Sequence, residues 1–292
     1  MTIREALAWA QKALLPAVGA DAAFEARQLA AAALGAERLP PGLGGSLTPG
    51  QEGRLAALLG RRLGGEPLQY ILGEWEFMGL PFFVGPEALI PRQDTETLCE
   101  AVLARRPRGQ GFTLLDLCCG TGCVGISLAK LGGFAPTLAD ISPACLALAA
   151  RNAQRNGVRA RLAQGDLFQA LTPGERFDVI CANPPYIPSG ALAGLQAEVR
   201  REPALALDGG PDGLAFYRRI AQGYRAFLAP GGLLALELGA GQGAALRSIL
   251  GGGVIEKDIR GLDRVILLEN EEDPCSKSCK ESKPVTRSSP RP

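Results

Sequence analysis

The sequence predicts an α/β protein, in which a doubly wound, mostly parallel sheet is joined by a β-hairpin to a small all-helical N-terminal domain. Two observations predict this arrangement. From Phe112 onward, short apolar runs alternate with helical patterns, and such alternation builds a parallel sheet with helices on both faces. Residues 1–66 instead carry Ala- and Leu-rich helical patterns, and short aromatic runs follow in residues 67–90.

Composition and charge narrow the classes of function. The 292 residues are 47% hydrophobic, and 31 basic against 30 acidic residues leave a net charge of +1. We therefore expect neither a membrane segment nor a direct nucleic-acid substrate. The eight cysteines fall mostly inside apolar runs, which is typical of a cytoplasmic protein with reduced thiols. Because the chain has no histidine, it lacks the commonest general base and metal ligand, and we expect no metal site.

The predicted helical domain comprises residues 1–66. Apolar residues repeat at helical spacing between Ile3 and Leu14, and Thr48-Pro49 has the sequence of an N-cap followed by a first helical residue. The domain carries no constellation of residues suited to chemistry. Its predicted role is therefore to dock a partner.

Residues 67–90 are predicted to form the hairpin linker, with residues 70–72 among its strand-like runs. Residues 91–269 are predicted to form the catalytic domain, whose first helix would be capped by Asp94 or Thr95. The elements predicted after that helix are the strands 113–117, 136–141, 158–162, 177–182, 232–238, 254–259 and 264–269 and the helices 124–131, 143–156, 214–228 and 243–250.

The strand that begins at Phe177 ends abruptly in Asn183-Pro184-Pro185-Tyr186. Consecutive prolines lack N–H donors and fix φ, so the backbone leaves the sheet in a rigid turn at the strand's carboxyl end, where open α/β sheets bind ligands. An amide nitrogen is a poor nucleophile. The Asn183 side-chain oxygen and the Pro184 carbonyl would accept hydrogen bonds from it and orient it, and Tyr186 would stack on a planar group. The alternative is a turn that only closes the strand, with Asn183 capping its own backbone.

An earlier strand, residues 114–117, ends in a Gly-rich turn that opens a helix and lets a ligand approach unpaired N–H groups. This pattern alone is shared by NAD and phosphate sites. Asp140 ends the next strand, where an acidic side chain can take both ribose hydroxyls, and Asp166 follows the third, where it could accept from an adenine amino group. Each carboxylate alone could be a helix cap or a surface charge. Together with the turn, they predict an adenosine-containing cofactor.

Residues 116–122, Asp-Leu-Cys-Cys-Gly-Thr-Gly, resemble the first motif of Rossmann-like S-adenosylmethionine methyltransferases, and residues 183–186 look like their amino-group methylation motif. Residues 90–96, 202–207 and 212–213 are similar to the release factor glutamine methyltransferases of the HemK/PrmC type. The resemblance covers about residues 1–269. It implies a Rossmann-like sheet with an antiparallel strand near the C-terminus and S-adenosylmethionine as cofactor. The implied reaction is methyl transfer to N5, the side-chain amide nitrogen of the glutamine in the Gly-Gly-Gln motif of peptide chain release factors.

The resemblance also implies roles for single residues. Asn183, Pro184 and Tyr186 would be catalytic and, with Pro185, would bind the substrate glutamine. Asp140 would hold the ribose. The residues implied to bind the cofactor are Asp116, Cys118, Cys119, Gly120, Thr121, Gly122, Asp140, Asp166, Leu167 and Asn183. The chain departs from the family's usual sequence at the two cysteines of this turn, where Gly and a small residue are expected, so the turn must tolerate a Cβ.

Three other functions stay open. A ribosomal-protein glutamine methyltransferase differs only in its N-terminal domain, and an N6-adenine methyltransferase uses the same four-residue motif but needs a basic groove and a base-flipping pocket. A cysteine-based metal or redox protein would use Cys118, Cys119, Cys123 and Cys181, although adjacent cysteines do not easily point at one tetrahedral centre. Residues 270–292, rich in charge, Ser and Pro, are predicted to be a disordered tail.

Overall fold

The computed structural model describes residues 1–39 and 41–270. From residue 271 onward, the predicted disordered tail lies outside the described residues. Within those residues, no helix is both long and apolar enough to cross a membrane.

The helices and strands are numbered in chain order. The helices are α1 Ile3–Val18, α2 Ala22–Leu34, α3 Pro49–Leu63, α4 Leu68–Leu72, α5 Gln93–Arg105, α6 Cys123–Gly132, α7 Pro143–Arg155, α8 Ala215–Phe227 and α9 Gly243–Leu250. The strands are β1 Glu74–Phe77, β2 Leu80–Phe83, β3 Thr113–Leu117, β4 Ala135–Asp140, β5 Arg161–Gln164, β6 Phe177–Ala182, β7 Leu228–Glu237, β8 Val254–Lys257 and β9 Asp263–Glu269.

The main sheet has the strand order β5-β4-β3-β6-β7-β9-β8. Strands β3 to β7 pair in parallel, whereas β9 runs antiparallel to both β7 and β8. The predicted doubly wound, mostly parallel sheet with an antiparallel strand near the C-terminus is confirmed. The chain builds outward from β3 to β5 and then returns to place β6 on the other side of β3. This reversal is the topological switch point at which such sheets bind ligands.

The central strands are buried on both faces. Leu114, Leu115 and Leu117 of β3 are all 0% exposed, which explains why the strand is a continuous apolar run in the sequence. Helices α5, α6 and α7 pack on one face of the sheet, and α8 and α9 pack on the other. Polar side chains are therefore displaced to the strand ends.

The N-terminal helices enclose an apolar cluster of their own, which runs from Ile3 on α1 to Ile71 on α4. Helices α1 and α3 both begin with a capping box. In each, the N-cap threonine, Thr2 or Thr48, accepts from the N3 backbone while the N3 side chain reaches back to the cap. The start predicted for the helix after Thr48 is confirmed.

The segment before the hairpin differs from the prediction. Residues 70–72 were expected among the strand-like runs, but they lie in helix α4, and only β1 and β2 form the hairpin. Leu68 and Ile71 are three residues apart and are both buried, which is a helical rather than an alternating spacing. Gly73, in the left-handed conformation at φ 75°, ends the helix before β1 begins.

The start of α5 also differs from the prediction. Arg92 is the N-cap residue, and the helix has no side-chain cap, so the expectation that Asp94 or Thr95 caps it is wrong. Asp94 instead forms an ion pair with Arg260 at 2.7 Å. The hydroxyl of Thr95 accepts a hydrogen bond from Asn183. Both side chains are used for contacts with distant segments.

A buried ion pair ties α3 to α2 and to the segment that follows β6. Arg62 is 4% exposed and donates to both carboxylate oxygens of Glu25, at 2.7 and 2.9 Å. It also donates to Glu198, at 3.0 Å, in the segment that follows β6. Because a buried charge is costly without a partner, the Arg62 guanidinium needs the carboxylates of both Glu25 and Glu198 as acceptors.

We expect Arg62→Met to lower the free energy of unfolding by about 3–5 kcal/mol, because the variant leaves the carboxylate of Glu25 buried and unpaired. Adding Glu25→Leu should recover most of that loss, since the pair is then replaced by apolar groups. Urea unfolding followed by circular dichroism measures both variants. If Arg62→Met unfolds at the wild-type urea midpoint, the ion pair between Arg62 and Glu25 does not stabilise the fold.

Candidate active site

A cavity of about 480 Å³ opens at the carboxyl edge of the sheet. Leu117 of β3 pairs with Ala182 of β6, so the turns that follow these two strands lie side by side. The predicted site residues that line the cavity are Asp116, Cys118, Cys119, Gly120, Thr121, Asp140, Asp166, Leu167, Asn183 and Pro185. Gly122 and Pro184 lie outside the lining, and Tyr186 lines a neighbouring hollow.

The turn after β3 is left-handed at three positions. Cys118, Gly120 and Gly122 have φ of 56°, 53° and 77°. A residue with a Cβ costs on the order of 1–2 kcal/mol in this region, so Cys118 is strained where a glycine would not be. At Gly122 a Cβ would lie 2.9 Å from the Ile126 Cδ1 atom and 3.2 Å from the Ala149 Cβ atom. Close packing of α6 therefore adds a second reason for glycine there.

Asp116 lies at the base of the cavity. It is 1% exposed, and its Oδ2 atom accepts a hydrogen bond from the Gly125 N–H at 2.8 Å. Burial raises the pKa of Asp116 to about 7, and the hydrogen bond opposes that rise. A cationic ligand in this low-dielectric space would favour the ionised form.

Asp140 ends β4 and faces the same cavity. Its Oδ2 atom accepts from the Gly120 N–H and its Oδ1 atom from the Ser142 N–H, both at 2.9 Å. These hydrogen bonds fix the carboxylate and brace the Gly-rich turn. Each carboxylate oxygen keeps a lone pair, so the group can also accept from two neighbouring hydroxyls.

Asp166 and Leu167 follow β5 on the far side of the cavity. Asp166 is paired with Arg219 at 2.7 Å, a partner that the sequence did not reveal. Leu167 is 7% exposed and has φ 52°, so it is held in a strained conformation against the cavity. Phe216 lines the same region. A planar, apolar group with a polar edge fits this part of the cavity.

Asn183 follows β6, and its side chain crosses to α5. The Nδ2 atom donates to the Thr95 Oγ1 atom at 3.1 Å, so the amide does not cap its own turn. Among the described residues, no donor occupies the Asn183 Oδ1 atom. The structure thus leaves one amide oxygen available at the edge of the cavity.

A second hollow, of about 380 Å³, adjoins the first, and Asn183 lines both. Tyr186 lines only this second hollow, and the Tyr186 carbonyl accepts from the Gln242 Nε2 atom at 3.0 Å. Its hydroxyl donates to the Glu237 Oε1 atom at 3.4 Å. A group entering the second hollow can therefore meet a ligand of the first hollow at Asn183.

The segment after β6 is held over both hollows by a buried carboxylate. Glu202 is 5% exposed, forms an ion pair with Arg92, and accepts from the Ile90 N–H at 2.9 Å. Burial raises the pKa of Glu202, and Arg92 opposes that rise. Residues 90–96 and 202–207 are similar to a known family in sequence, but that similarity does not indicate that the two segments contact each other. They enclose the cavity together.

The residues present fit S-adenosylmethionine. Asp140 offers a fixed carboxylate for a diol, the wall near Leu167 suits an adenine, and the buried Asp116 suits a cationic ligand. Thiols also line the cavity, and burial raises the pKa of Cys119, so they stay neutral. The donor set therefore matches an adenosine-containing cation rather than a metal ion.

Comparison with known proteins identifies the family. The family model described as "PrmC N-terminal domain" matches residues 5–73, and that described as "Methyltransferase small domain" matches residues 93–198. The release factor glutamine methyltransferase of Moorella thermoacetica is 46% identical over 254 residues, which cover 85% of this chain and 89% of that one. The Geobacter sulfurreducens enzyme of the same name is 43% identical and covers 91% and 95%. The chain belongs to the release factor glutamine methyltransferase family. It is an S-adenosylmethionine-dependent methyltransferase.

Solved structures share the fold of this methyltransferase. The hMettl16 catalytic domain, in complex with MAT2A 3′UTR hairpin 1, has a TM-score of 0.55 and 17% identity, and covers 81% of this chain and 86% of its own. A methyltransferase from Pyrococcus furiosus has a TM-score of 0.50 and 18% identity, and covers 67% and 91%. At these identities the likeness concerns the fold alone.

The cysteines do not form a metal centre in the part of the chain that the structure describes. Over residues 1–39 and 41–270, no group of three or more Cys, Asp or Glu side chains is arranged to hold a metal ion. Burial raises the pKa of Cys99 and of Cys181 well above the ordinary value, because an apolar environment disfavours the thiolate. The cysteine-based reading finds no support here.

We expect Asp140→Ala to weaken binding of S-adenosylmethionine about 10- to 100-fold, since charge-assisted hydrogen bonds are worth roughly 1.5–3 kcal/mol. Asp178→Ala is a matched control. The Asp178 carboxylate also accepts two hydrogen bonds, both from Thr113, but at the opposite end of the sheet. Calorimetric titration measures both affinities. If the folded Asp140→Ala variant binds as tightly as the control, Asp140 is not part of the cofactor site.

We expect the contribution of Asp116 to the stability of the cofactor-free protein to fall as the pH rises from about 4 to about 7. The pKa of Asp116 is raised from 3.8 to about 7 in the fold, so the stability this group contributes is full below pH 4 and is lost as it ionises. The loss is at most about 4 kcal/mol. Asp116→Asn cannot ionise, so its urea midpoint should change less between pH 5 and pH 8. Equal changes in both proteins would contradict this assignment.

Proposed function

We propose that this protein methylates the glutamine of the Gly-Gly-Gln motif in peptide chain release factors, at the side-chain nitrogen N5. Membership of the release factor glutamine methyltransferase family supports the reaction. The structural observation that carries the proposal is the amide of Asn183. Its Nδ2 atom donates to the Thr95 hydroxyl, so its Oδ1 atom can accept a hydrogen bond where the two hollows meet. We further propose that the enzyme acts in the cytoplasm, where release factors meet the ribosome.

The site residues take the following roles in this proposal. Asp140 holds the ribose of S-adenosylmethionine, and Asp166 and Leu167 flank its adenine. Asp116 and the backbone of residues 118–122 form the base of the cofactor cavity. This assignment is supported by the position of Asp140 at the end of β4 and by the space left around it.

The substrate amide reacts as a neutral nitrogen that is positioned rather than deprotonated in advance, and one of its N–H protons passes to water once the methyl group has been transferred. The Asn183 Oδ1 atom and the Pro184 carbonyl accept its two N–H groups and turn its nitrogen toward the cofactor cavity, while Tyr186 packs against the planar amide. Bound S-adenosylmethionine supplies an electrophilic methyl group on its sulfonium. Holding two groups in a reactive geometry removes much of a barrier, and this contribution needs no histidine. The segment held by Glu202 lines the cavity and covers it.

A protein substrate is favoured over a nucleic acid. The arginines that line the second hollow, Arg92 and Arg260, are paired with Glu202 and Asp94, so their charges are already compensated. A groove for nucleic acid needs cations that can release counterions from phosphates. The match of residues 5–73 to the PrmC N-terminal domain favours a release factor over a ribosomal protein.

We propose that residues 1–66 form a docking domain for the release factor, with residues 67–90 as the linker and residues 91–269 as the catalytic domain. The separate apolar cluster around the first helices supports this division. Arg62 holds this domain against the catalytic domain, because it donates to Glu198.

We expect a short peptide that contains Gly-Gly-Gln to be methylated with a much higher KM than the intact release factor, because the peptide lacks the surface that docks on residues 1–66. Its kcat should fall less, since the reacting amide is the same. Steady-state rates with labelled S-adenosylmethionine, with the label located by mass spectrometry, measure both. Equal kcat/KM values for the peptide and the intact release factor would show that the enzyme recognises only the Gly-Gly-Gln loop and that residues 1–66 do not contribute to recognition.

We expect Asn183→Ala to keep its fold and most of its cofactor affinity while losing about 100- to 1,000-fold in rate, as when one preorganised hydrogen-bond partner is removed from an active site. If Asn183 only closed the turn, the variant would instead lose about 1 kcal/mol of stability and little activity. Thermal melting and single-turnover methylation on one preparation separate the two. A lowered melting temperature with an unchanged rate would make Asn183 a structural residue.

A further inference from the structure

The turn formed by residues 183–186 has little backbone hydrogen bonding of its own. Pro184 and Pro185 have no N–H group, and within residues 1–39 and 41–270 neither they nor Tyr186 take part in a backbone–backbone hydrogen bond. Strand β6 fixes the start of the turn, because Ala182 pairs with both neighbouring strands. The end of the turn is held to the sheet by side chains instead.

Gln242 makes the closest of these side-chain contacts. It is the N-cap residue of α9, and its Nε2 atom donates to the Tyr186 carbonyl at 3.0 Å and, more weakly, to the Gly213 carbonyl at 3.4 Å. Its Oε1 atom accepts from the Gly239 N–H at 2.9 Å. Carbonyl oxygens cannot donate, so only one orientation of the Gln242 amide satisfies all three contacts.

Two glycines allow Gln242 and Tyr186 to approach each other. A Cβ at Gly213, where φ is 74°, would overlap the Tyr186 carbonyl and would lie 2.9 Å from the Gln242 Nε2 atom. A Cβ at Gly239 would lie 3.0 Å from the Gln242 Oε1 atom and 3.1 Å from the Tyr186 Cδ2 atom. These distances are shorter than the normal separation of packed atoms. A larger residue at either position would therefore displace Tyr186 or Gln242.

The contact with Gln242 relates the end of the turn to the sheet. Ile187 forms backbone hydrogen bonds with residues 207 and 209, at 3.0 and 2.8 Å, but those residues belong to the same long connection between β6 and α8. Gln242 instead lies between β7 and α9, and β7 pairs with β6. The Tyr186 hydroxyl also contacts Glu237 at the end of β7, at the longer distance of 3.4 Å. The amide of Gln242 is thus the stronger link between Tyr186 and the sheet.

We propose that Gln242 is a positioning residue, which holds Tyr186 so that the Tyr186 ring and the Pro184 carbonyl keep their places beside the substrate amide. The inference rests on the proposed function, in which these two groups contact the glutamine. Because both prolines of the turn have a fixed φ, anchoring the Tyr186 carbonyl also limits where the Pro184 carbonyl can lie. Gln242 lines neither hollow, so it acts through Tyr186 and not by contact with the substrate.

The first test compares Gln242→Ala with a matched control, Asn270→Ala. The Asn270 amide also donates to two carbonyls, of Ala229 at 3.0 Å and of Leu228 at 3.5 Å, but at the opposite end of β7. Each variant loses the hydrogen bonds of one amide, so both should melt a few degrees below the wild type. Single-turnover methylation of an intact release factor at saturating S-adenosylmethionine should fall about 10- to 100-fold in Gln242→Ala alone, because a small displacement of the reacting groups is costly. An equal loss of rate in both variants overturns the proposal.

The second test is Gln242→Met, which keeps the length of the side chain and removes both polar atoms. Its kcat should fall as far as that of Gln242→Ala, while the KM for the release factor and the affinity for S-adenosylmethionine stay within about twofold of the wild type. A short Gly-Gly-Gln peptide should show the same relative loss of kcat, because the defect lies at the reacting amide and not at the docking domain. A wild-type kcat in the folded variant, or a change confined to KM, overturns the proposal.

Hydrogen exchange tests the anchoring without any substrate. Amides in residues 186–195 should exchange faster in Gln242→Met than in the wild type, and Asn270→Ala should leave them unchanged, because a local opening is favoured where a local hydrogen bond is lost. Unchanged exchange in Gln242→Met overturns the proposal. If the wild-type protein transfers no label to the release factor glutamine, the proposed function fails, and the role of Gln242 fails with it. That result is distinguished from failure of the inference alone, in which the wild type and Gln242→Met label the glutamine equally fast.

Discussion

The parallel pairing of β3 with β6 is the constraint on which the rest of the site depends. About 60 residues of the chain separate these strands, yet Leu117 pairs with Ala182. The two turns that carry polar groups therefore follow the strands at the same edge of the sheet. Both strands are buried on both faces, so their register is fixed by packing. The turn after β3 then shapes the base of the cofactor cavity, and the turn after β6 brings Asn183 to the opening between the two hollows.

The second feature of the site is a set of buried carboxyl groups in place of histidine. Asp116, Glu202 and Glu237 are each at most 5% exposed, and burial raises the pKa of all three. Their partners differ in kind. Asp116 accepts from a backbone N–H, Glu202 is paired with Arg92, and Glu237 faces hydroxyl groups. Methylation of an amide nitrogen needs acceptors held in fixed directions, and a dry environment makes each such acceptor more effective.

The two cysteines of the first turn show how the fold accommodates a departure from the family's usual residues. Cys118 adopts φ 56°, and Cys119 is 6% exposed and packs in the core on the opposite face. The strain at Cys118 is local because the next residue but one, Gly120, restores the turn and donates to Asp140. Burial raises the pKa of both thiols, so they contribute apolar lining rather than charge.

The sequence by itself determined the sheet, its alternating helices and the turn residues, because periodicity and Gly/Pro chemistry are local signals. It missed α4, whose five residues are too few to show a helical period. It also began β5 at residue 158, whereas the structure begins the strand at Arg161, after an irregular segment. The links from Thr95 to Asn183 and from Tyr186 to Glu237 cross 88 and 51 positions of the chain. Only the tertiary structure decided those contacts, because a hydrogen bond between distant segments leaves no pattern in either one.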